Sequence, residues 1–235
     1  MAAERRVVAT MPLHAITSVY GEDGLRERFG LEIGRFGDRE RQRLEEALAL
    51  ASELHSGDRR QNEPYVNHLL RVATRIICYY RVDDADVVCA ALLHDTVEDH
   101  PGGLSSGGGQ GEALAALADR FGPRVAQLVG AVTVPPRENG RDRHEQYRQH
   151  VAASLLAHPW ARVIKASDFT DNGVGLIHTT GPMLARLAAK YAPLVPVLNE
   201  MIARDDTPLS PDVRAHIIGQ LEAARQRFST IPSTA

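Results

Sequence analysis

Apolar residues in this chain recur mostly at helical spacing. From Asp38 to Leu54 the positions Leu44, Ala47, Leu48, Ala51 and Leu54 form one stripe among Arg and Glu, which predicts a surface helix with one buried face. Pro64 suits a first helical turn, and Leu69, Leu70, Ala73, Ile76, Ile77 and Tyr80 carry the period through a second helix. Asp83 or Asp84 is placed to cap a third, whose run from Val87 to Leu93 is apolar on nearly every face and belongs at the centre of a core. That helix is expected to carry His94, Asp95, Glu98 and Asp99 at its C-terminal end and to stop at Pro101-Gly102-Gly103.

Gly102 to Gly111 reads as a flexible loop, and Leu114, Leu117, Ala118 and Phe121 as a short amphipathic helix ended by Gly122-Pro123. Further helices are expected over 125–132, 141–157 and 159–172, then two helical runs beyond Pro182, the last opened by Ser210-Pro211-Asp212. Val7-Val8-Ala9-Thr10 and Val132-Thr133-Val134 are the only strand-like pieces, and neither has a plausible partner. The pattern is an all-α bundle with no internal repeat. Residues 1–37, where Phe29, Leu31, Ile33 and Phe36 mix with glycines, are expected to form an N-terminal extension packed on a single domain over 38–228, with a polar tail at 229–235.

Composition narrows the function. With 235 residues, 43% hydrophobic and 24% charged, the chain fits one ordinary globular domain. A net charge of −3 excludes bulk electrostatic attraction to nucleic acid. Cys78 and Cys89, both in apolar helical runs, exclude a disulfide framework and a thiolate metal cluster. The N-terminus lacks an apolar signal-type core, and the longest apolar run, Val87 to Leu93, is far short of the ~20 residues that cross a bilayer, so a cytoplasmic location is expected.

The candidate chemistry begins with His94-Asp95 and Glu98-Asp99, four ionisable groups directly after an apolar run. Burying such groups costs several kcal/mol each unless they are paired or bind a metal. On a continuous helix His94 and Glu98 share a face, as do Asp95 and Asp99, giving one acid able to ligate and one able to reach a bound water. The bland reading is a solvated helix end, but acids there oppose the macrodipole. Arg59-Arg60 precedes Glu63-Pro64-Tyr65 and His68, and a later apolar helix ends in Asp168, Asp171 and Asn172.

The series His68, His94-Asp95 and Asp168 resembles the H…HD…D metal-ligand set of the HD phosphohydrolase superfamily, whose fold is an HD-domain helical bundle. More narrowly, the chain looks like the hydrolase domain of the RelA/SpoT-homologue family, of the small alarmone hydrolase type. The matching stretches are Arg59-Arg60 with Glu63-Pro64-Tyr65 and His68, Ala91 to Asp99, Arg120-Phe121-Gly122 with Val132-Thr133, and Val163 to Asp168 with Asn172, together spanning residues 55–176. The resemblance implies a guanosine tetra- or pentaphosphate (ppGpp) 3′-pyrophosphohydrolase of the stringent response. It places a divalent metal, Mn²⁺ by family habit, on His68, His94, Asp95 and Asp168. Two imidazoles and two carboxylates suit Mn²⁺, Fe²⁺ or Zn²⁺ alike. By the same resemblance Glu98 and Asp99 orient water and pass protons, while Arg59, Arg60 and Asn172 contact the nucleotide. Tyr65 either packs against the base or staples the helix start. A nucleotide is the implied partner, and the apolar C-terminal helices suit either completion of the core or a dimer face.

The chain also departs from that pattern. Phe169 and Asp171 stand where a basic residue and a ring are common, Gly175 where a threonine is, and the 101–111 loop is longer and richer in glycine. Phe169 and Asp171 make a polyphosphate site more negative and favour a rival reading, an HD phosphohydrolase on another nucleotide. A rival of another class is an inactive nucleotide-sensing or dimerisation module, which predicts loss of a ligand that is here retained. The glycine cluster lacks the Lys-Ser/Thr pair of a phosphate loop. His55 reads as a helix-end residue near the site, Trp160 as a packing residue, and His14, His100, His144, His150, His158, His178 and His216 as structural.

Overall fold

The computed structural model describes residues 7–60, 63–136, 140, 142–173, 175 and 182–231, and the chain divides into two compact units, Met1–Thr133 and Val134–Ala235. Helices dominate both, as the periodicity predicts. Calls on the residues outside those ranges, among them His178 and most of the 229–235 tail, lie outside the described residues.

In the first unit the elements are α1 (Leu13–Ile33), α2 (Asp38–Leu54), β1 (Arg59–Arg60), β2 (Glu63–Pro64), α3 (Val66–Cys78), α4 (Ala85–Leu93), α5 (Thr96–Asp99), α6 (Pro101–Leu104), α7 (Gln110–Phe121) and α8 (Pro123–Val132). Every residue of α4 except Asp86 is buried, and the helix packs against α2, α3 and α8. Its N-terminus is fixed by charge. Asp84 caps it, accepting from the Asp86 and Val87 amides at 3.1 and 3.4 Å. Arg124 of α8 grips both Asp84 oxygens, at 2.8 and 2.6 Å, and Arg43 of α2 pairs with Asp86. Gly122, at φ 97°, takes a conformation that an L side chain rarely adopts and lets Pro123 open α8 directly behind α7. Within the N-terminal 37 residues, Leu13, Ile16, Leu25, Phe29 and Ile33 of α1 are buried, and α1 packs on α3.

Several local expectations are corrected. Residues 7–10 are helical, and Val132 closes α8 with Val134 in irregular backbone, so neither strand-like piece is a strand. The chain pairs instead at Arg59–Arg60 with Glu63–Pro64, antiparallel, Arg59 opposite Pro64 and Arg60 opposite Glu63. Pro64 therefore lies in a strand, where a two-stranded edge tolerates its missing N–H, and the helix starts at Val66. The central helix stops at Leu93 and does not run through Asp99. There the His94 ring donates to the Ala91 carbonyl at 2.8 Å and the Thr96 hydroxyl to the Leu93 carbonyl at 2.7 Å. Side chains thus compete for the acceptors that would continue the helix. Pro101–Leu104 forms a helical turn of its own, and α7 begins at Gln110, which leaves a shorter loop than Gly102 to Gly111.

The second unit holds α9 (Arg143–Ala157), α10 (Pro159–Asn172), α11 (Pro182–Tyr191), α12 (Leu194–Ala203) and α13 (Pro211–Ser229). Three helices follow residue 181 where two runs were expected, with Pro193 standing between α11 and α12. Residues Ala161 to Asp171 of α10 are buried in succession, and the helix packs on α9, α12 and α13. Arg162 is fully buried, donating to the Leu155 carbonyl at 2.7 Å, Asp206 at 2.7 Å and the Thr207 hydroxyl at 2.9 Å. Phe169 is a core residue, edge-on to Tyr191 and Phe228 at 5.9 and 6.5 Å between ring centroids. Among the described residues no helix is long and apolar enough to cross a membrane.

Phe169→Ala is expected to destabilise the protein by about 3 kcal/mol, the usual cost of emptying a buried aromatic site. Phe169→Leu should recover most of that loss in a urea unfolding experiment. A wild-type midpoint for the alanine variant would show that the ring is not a packing residue.

Candidate metal centre

In the first unit, α3 supplies His68 and the end of α4 supplies His94 and Asp95. His68 and His94 are only 1% and 3% exposed, and their ring centroids are 5.3 Å apart. The Ala91 carbonyl can be satisfied only by an N–H, so it takes the Nδ1 proton of His94 and turns Nε2 toward Asp95. That nitrogen lies 3.0 Å from Asp95 Oδ2, and His68 Nε2 lies 3.6 Å from the same oxygen. An imidazole nitrogen facing a carboxylate oxygen at this range requires a proton or a metal cation between them. Two imidazole nitrogens and a carboxylate oxygen are also a donor set that Mn²⁺, Fe²⁺ and Zn²⁺ accept.

The Tyr65 hydroxyl makes a contact that neither expected role included, donating to Asp95 Oδ2 at 2.7 Å. Burial, and then the Asp95 charge, push its phenol far above the ordinary range, so it remains a donor and orients the carboxylate. One face of its ring stacks on His55, at 4.5 Å and 8° between planes, and the Arg60 guanidinium carbon lies 5.4 Å from its centroid. Arg59 is exposed and Arg60 half-buried on β1. Glu63, beside them in the hairpin, is held bidentately by Arg71 at 2.7 and 2.9 Å and accepts from Asn67 at 3.0 Å. The hairpin is thereby tied to α3. Sequence reading gave Glu63 no role, although its position eight residues before Arg71 offered a weak cue.

Glu98 and Asp99 sit on α5, the short turn just past Asp95, and both are exposed. The expectation of four buried or half-buried groups therefore holds for His94 and Asp95 only. Although its surface is open, the Asp99 carboxyl is crowded by surrounding protein and lies near Asp95 and Glu98, which together raise it above the usual carboxylate range. A carboxyl so shifted holds a proton more readily than an ordinary aspartate does.

In the second unit Asp168 is 6% exposed near the end of α10. Lys165 Nζ donates to its Oδ2 at 2.8 Å, and Asn172 donates to its Oδ1 at 2.5 Å. Asn172 thus belongs to the surroundings of Asp168. Lys165 was missed as a site residue, and its i, i+3 spacing from Asp168 was the available signal.

A model of the HD-domain family matches residues 47–158 of this chain, a stretch that includes His68, His94 and Asp95 and ends before Asp168. The guanosine-3′,5′-bis(diphosphate) 3′-pyrophosphohydrolase MESH1 of Drosophila melanogaster is 32% identical over 130 residues, covering 54% of this chain and 65% of that protein. The pyrophosphohydrolase of Aquifex aeolicus is 32% identical over 131 residues, covering 55% of this chain and 17% of that protein. This chain therefore spans less than two thirds of either relative. A solved structure, described as a metazoan orthologue of SpoT that hydrolyses ppGpp, superposes with a TM-score of 0.60 at 27% identity, over 79% of this chain and 95% of that one.

Two outcomes are expected from this geometry. Tyr65→Phe removes the hydrogen bond that orients Asp95 and should weaken divalent-metal affinity about tenfold, read by competition with a chelator, without altering the circular dichroism. Asp99 binds its proton more tightly in the folded than in the unfolded chain. Its favourable contribution is therefore present below the ordinary Asp range and is lost as pH rises through the raised folded value. In metal-free protein Asp99→Asn should accordingly raise the thermal midpoint at neutral pH and leave it unchanged in acid below that range.

Proposed function

We propose that this chain is an HD-domain protein of the RelA/SpoT-hydrolase-like kind, a divalent-metal-dependent phosphohydrolase that removes the 3′-pyrophosphate of guanosine tetra- or pentaphosphate. The observation that carries this reading is the aim of His68 Nε2 and His94 Nε2 at one oxygen of Asp95. His68, His94, Asp95 and Asp168 are assigned as the ligands and Mn²⁺ as the ion. When bound, such an ion polarises a phosphoryl oxygen and favours ionisation of water.

The chain's own residues supply the rest. The Ala91 carbonyl and the Tyr65 hydroxyl hold His94 and Asp95 in their ligating orientations before any ion arrives. Water adds to the phosphorus bonded to the ribose O3′, and the P–O3′ bond breaks. The proton leaving the water passes to the carboxylate pair, and O3′ takes one as it departs, giving the guanosine 5′-di- or triphosphate and pyrophosphate. Glu98 is assigned to the first transfer and Asp99, with its raised carboxyl, to the second. Arg59 and Arg60, on a hairpin anchored through Glu63 and Arg71, are assigned to the phosphates and the base. Asn172, beside Asp168, is assigned to the nucleotide near the metal. The rival substrate class rests on Phe169 and Asp171; the Phe169 ring is engaged in core packing, and Asp171 is buried near the end of α10. A cytoplasmic location accords with the guanosine substrate.

Asp95→Ala should abolish metal binding and turnover together, whereas Glu98→Gln should retain the metal and lower kcat by about 10²-fold. Metal content by elemental analysis and steady-state kinetics on each variant separate the two roles. Equal loss of metal from both variants would overturn this division.

A further inference from the structure

Three side chains outside the assigned ligand set meet at one point in the first unit. His55 and Asp58 lie on the connection from α2 to β1, and His100 joins α5 to α6, so two separate segments contribute. His55 Nδ1 lies 2.8 Å from Asp58 Oδ2, and His100 Nε2 lies 2.6 Å from the same oxygen. The donor atoms of all three are within 4.8 Å of one another. We propose that His55, Asp58 and His100 form a second divalent-cation site, of the kind that takes Zn²⁺, separate from the ligand set that includes His68, His94 and Asp95.

The donor chemistry is that of a three-ligand zinc site, two imidazoles and one carboxylate with a position left for water. The charge states suit ligation. His100 and then His55 hold the Asp58 carboxyl below its usual range, so it is anionic. Burial holds the His55 imidazole below its usual range, despite the opposing pull of Asp58, so its lone pair is available near neutral pH. The site also has a fixed floor and an open mouth, with the side chains of His55, Asp58 and His100 being 0%, 35% and 29% exposed. The competing account is a network in which both rings donate N–H to a single carboxylate oxygen. Both accounts use His55 Nδ1 and leave Nε2 buried with no hydrogen-bond partner among the described residues, so metal binding itself decides between them.

Position gives the site a consequence. Asp58 directly precedes Arg59-Arg60, its carbonyl accepts from the Tyr65 amide at 3.2 Å, and the His55 ring stacks on Tyr65. A cation on these residues would clamp the base of the arginine hairpin to the end of α2 and to the α5–α6 junction. The geometry thus points to a cation, open to water, that braces the hairpin.

The test counts metal and does not depend on the hydrolase reading. Metal-stripped protein is titrated with Zn²⁺ against a chromophoric chelator, using wild type, His100→Ala, Asp58→Asn and His94→Gln, each checked for native circular dichroism. Wild type should take up two equivalents, and each variant should take up one. The proposal is overturned if His100→Ala and Asp58→Asn match wild type, or if wild type binds a single equivalent that His94→Gln loses. A single equivalent lost in His100→Ala and kept in His94→Gln would uphold this site and contradict the assigned catalytic ligands. His100 is partly exposed, so its removal should not unfold the chain, and Asp58→Asn gives an isosteric second reading.

Discussion

An imidazole nitrogen held 3.0 Å from a carboxylate oxygen, at the end of an apolar helix, is the constraint on which the rest of the first unit depends. Such an arrangement is unfavourable unless a positive charge shares it, and burial sharpens that requirement. The fold meets the condition by immobilising the partners. Asp84, Arg124 and Arg43 fix the start of α4 by charge, and apolar packing against α2, α3 and α8 holds its length. The Ala91 carbonyl then sets the His94 ring, and the Thr96 hydroxyl takes the Leu93 carbonyl. The helix therefore ends at the point where its last residues turn toward His68.

The site also separates protonation states over short distances. Tyr65 stays a phenol, Asp58 stays a carboxylate, and Asp99 is pushed toward the acid form by its crowded position and by the charges of Asp95 and Glu98. Carboxyl groups whose environments pull their pKa values apart are suited to different proton-transfer roles. The hairpin bearing Arg59 and Arg60 is joined to this system twice, through Glu63 with Arg71 and through Asp58 with His55 and His100. The arginine pair and the acids of the site are thus fixed to the same few elements.

Periodicity made the helices legible because each buries a stripe or a whole face, and the bounds of α2 and α10 match those read from the chain. The hairpin was not legible, since two residues per strand, Arg59-Arg60 and Glu63-Pro64, are too few to show alternation. The stop at Leu93 was missed because it depends on side chains taking backbone carbonyls. Arg162 could not be read as buried from composition alone, because its partners Asp206 and Thr207 lie more than forty residues away. In the candidate site, the series His68, His94-Asp95 and Asp168 was visible through its resemblance to the HD-type ligand pattern. The bond from Tyr65 to Asp95, the pairing of Lys165 with Asp168 and the meeting of His55 with His100 depend on three-dimensional approach.

The most direct measurement is phosphate and pyrophosphate release by Mn²⁺-loaded protein from guanosine tetraphosphate, run beside a panel of ordinary and phosphorylated nucleotides with and without chelator. The account predicts pyrophosphate from the alarmone, together with guanosine diphosphate, and loss of both products when chelator is present. Orthophosphate from another nucleotide with the alarmone untouched, or release that persists in chelator, would contradict it.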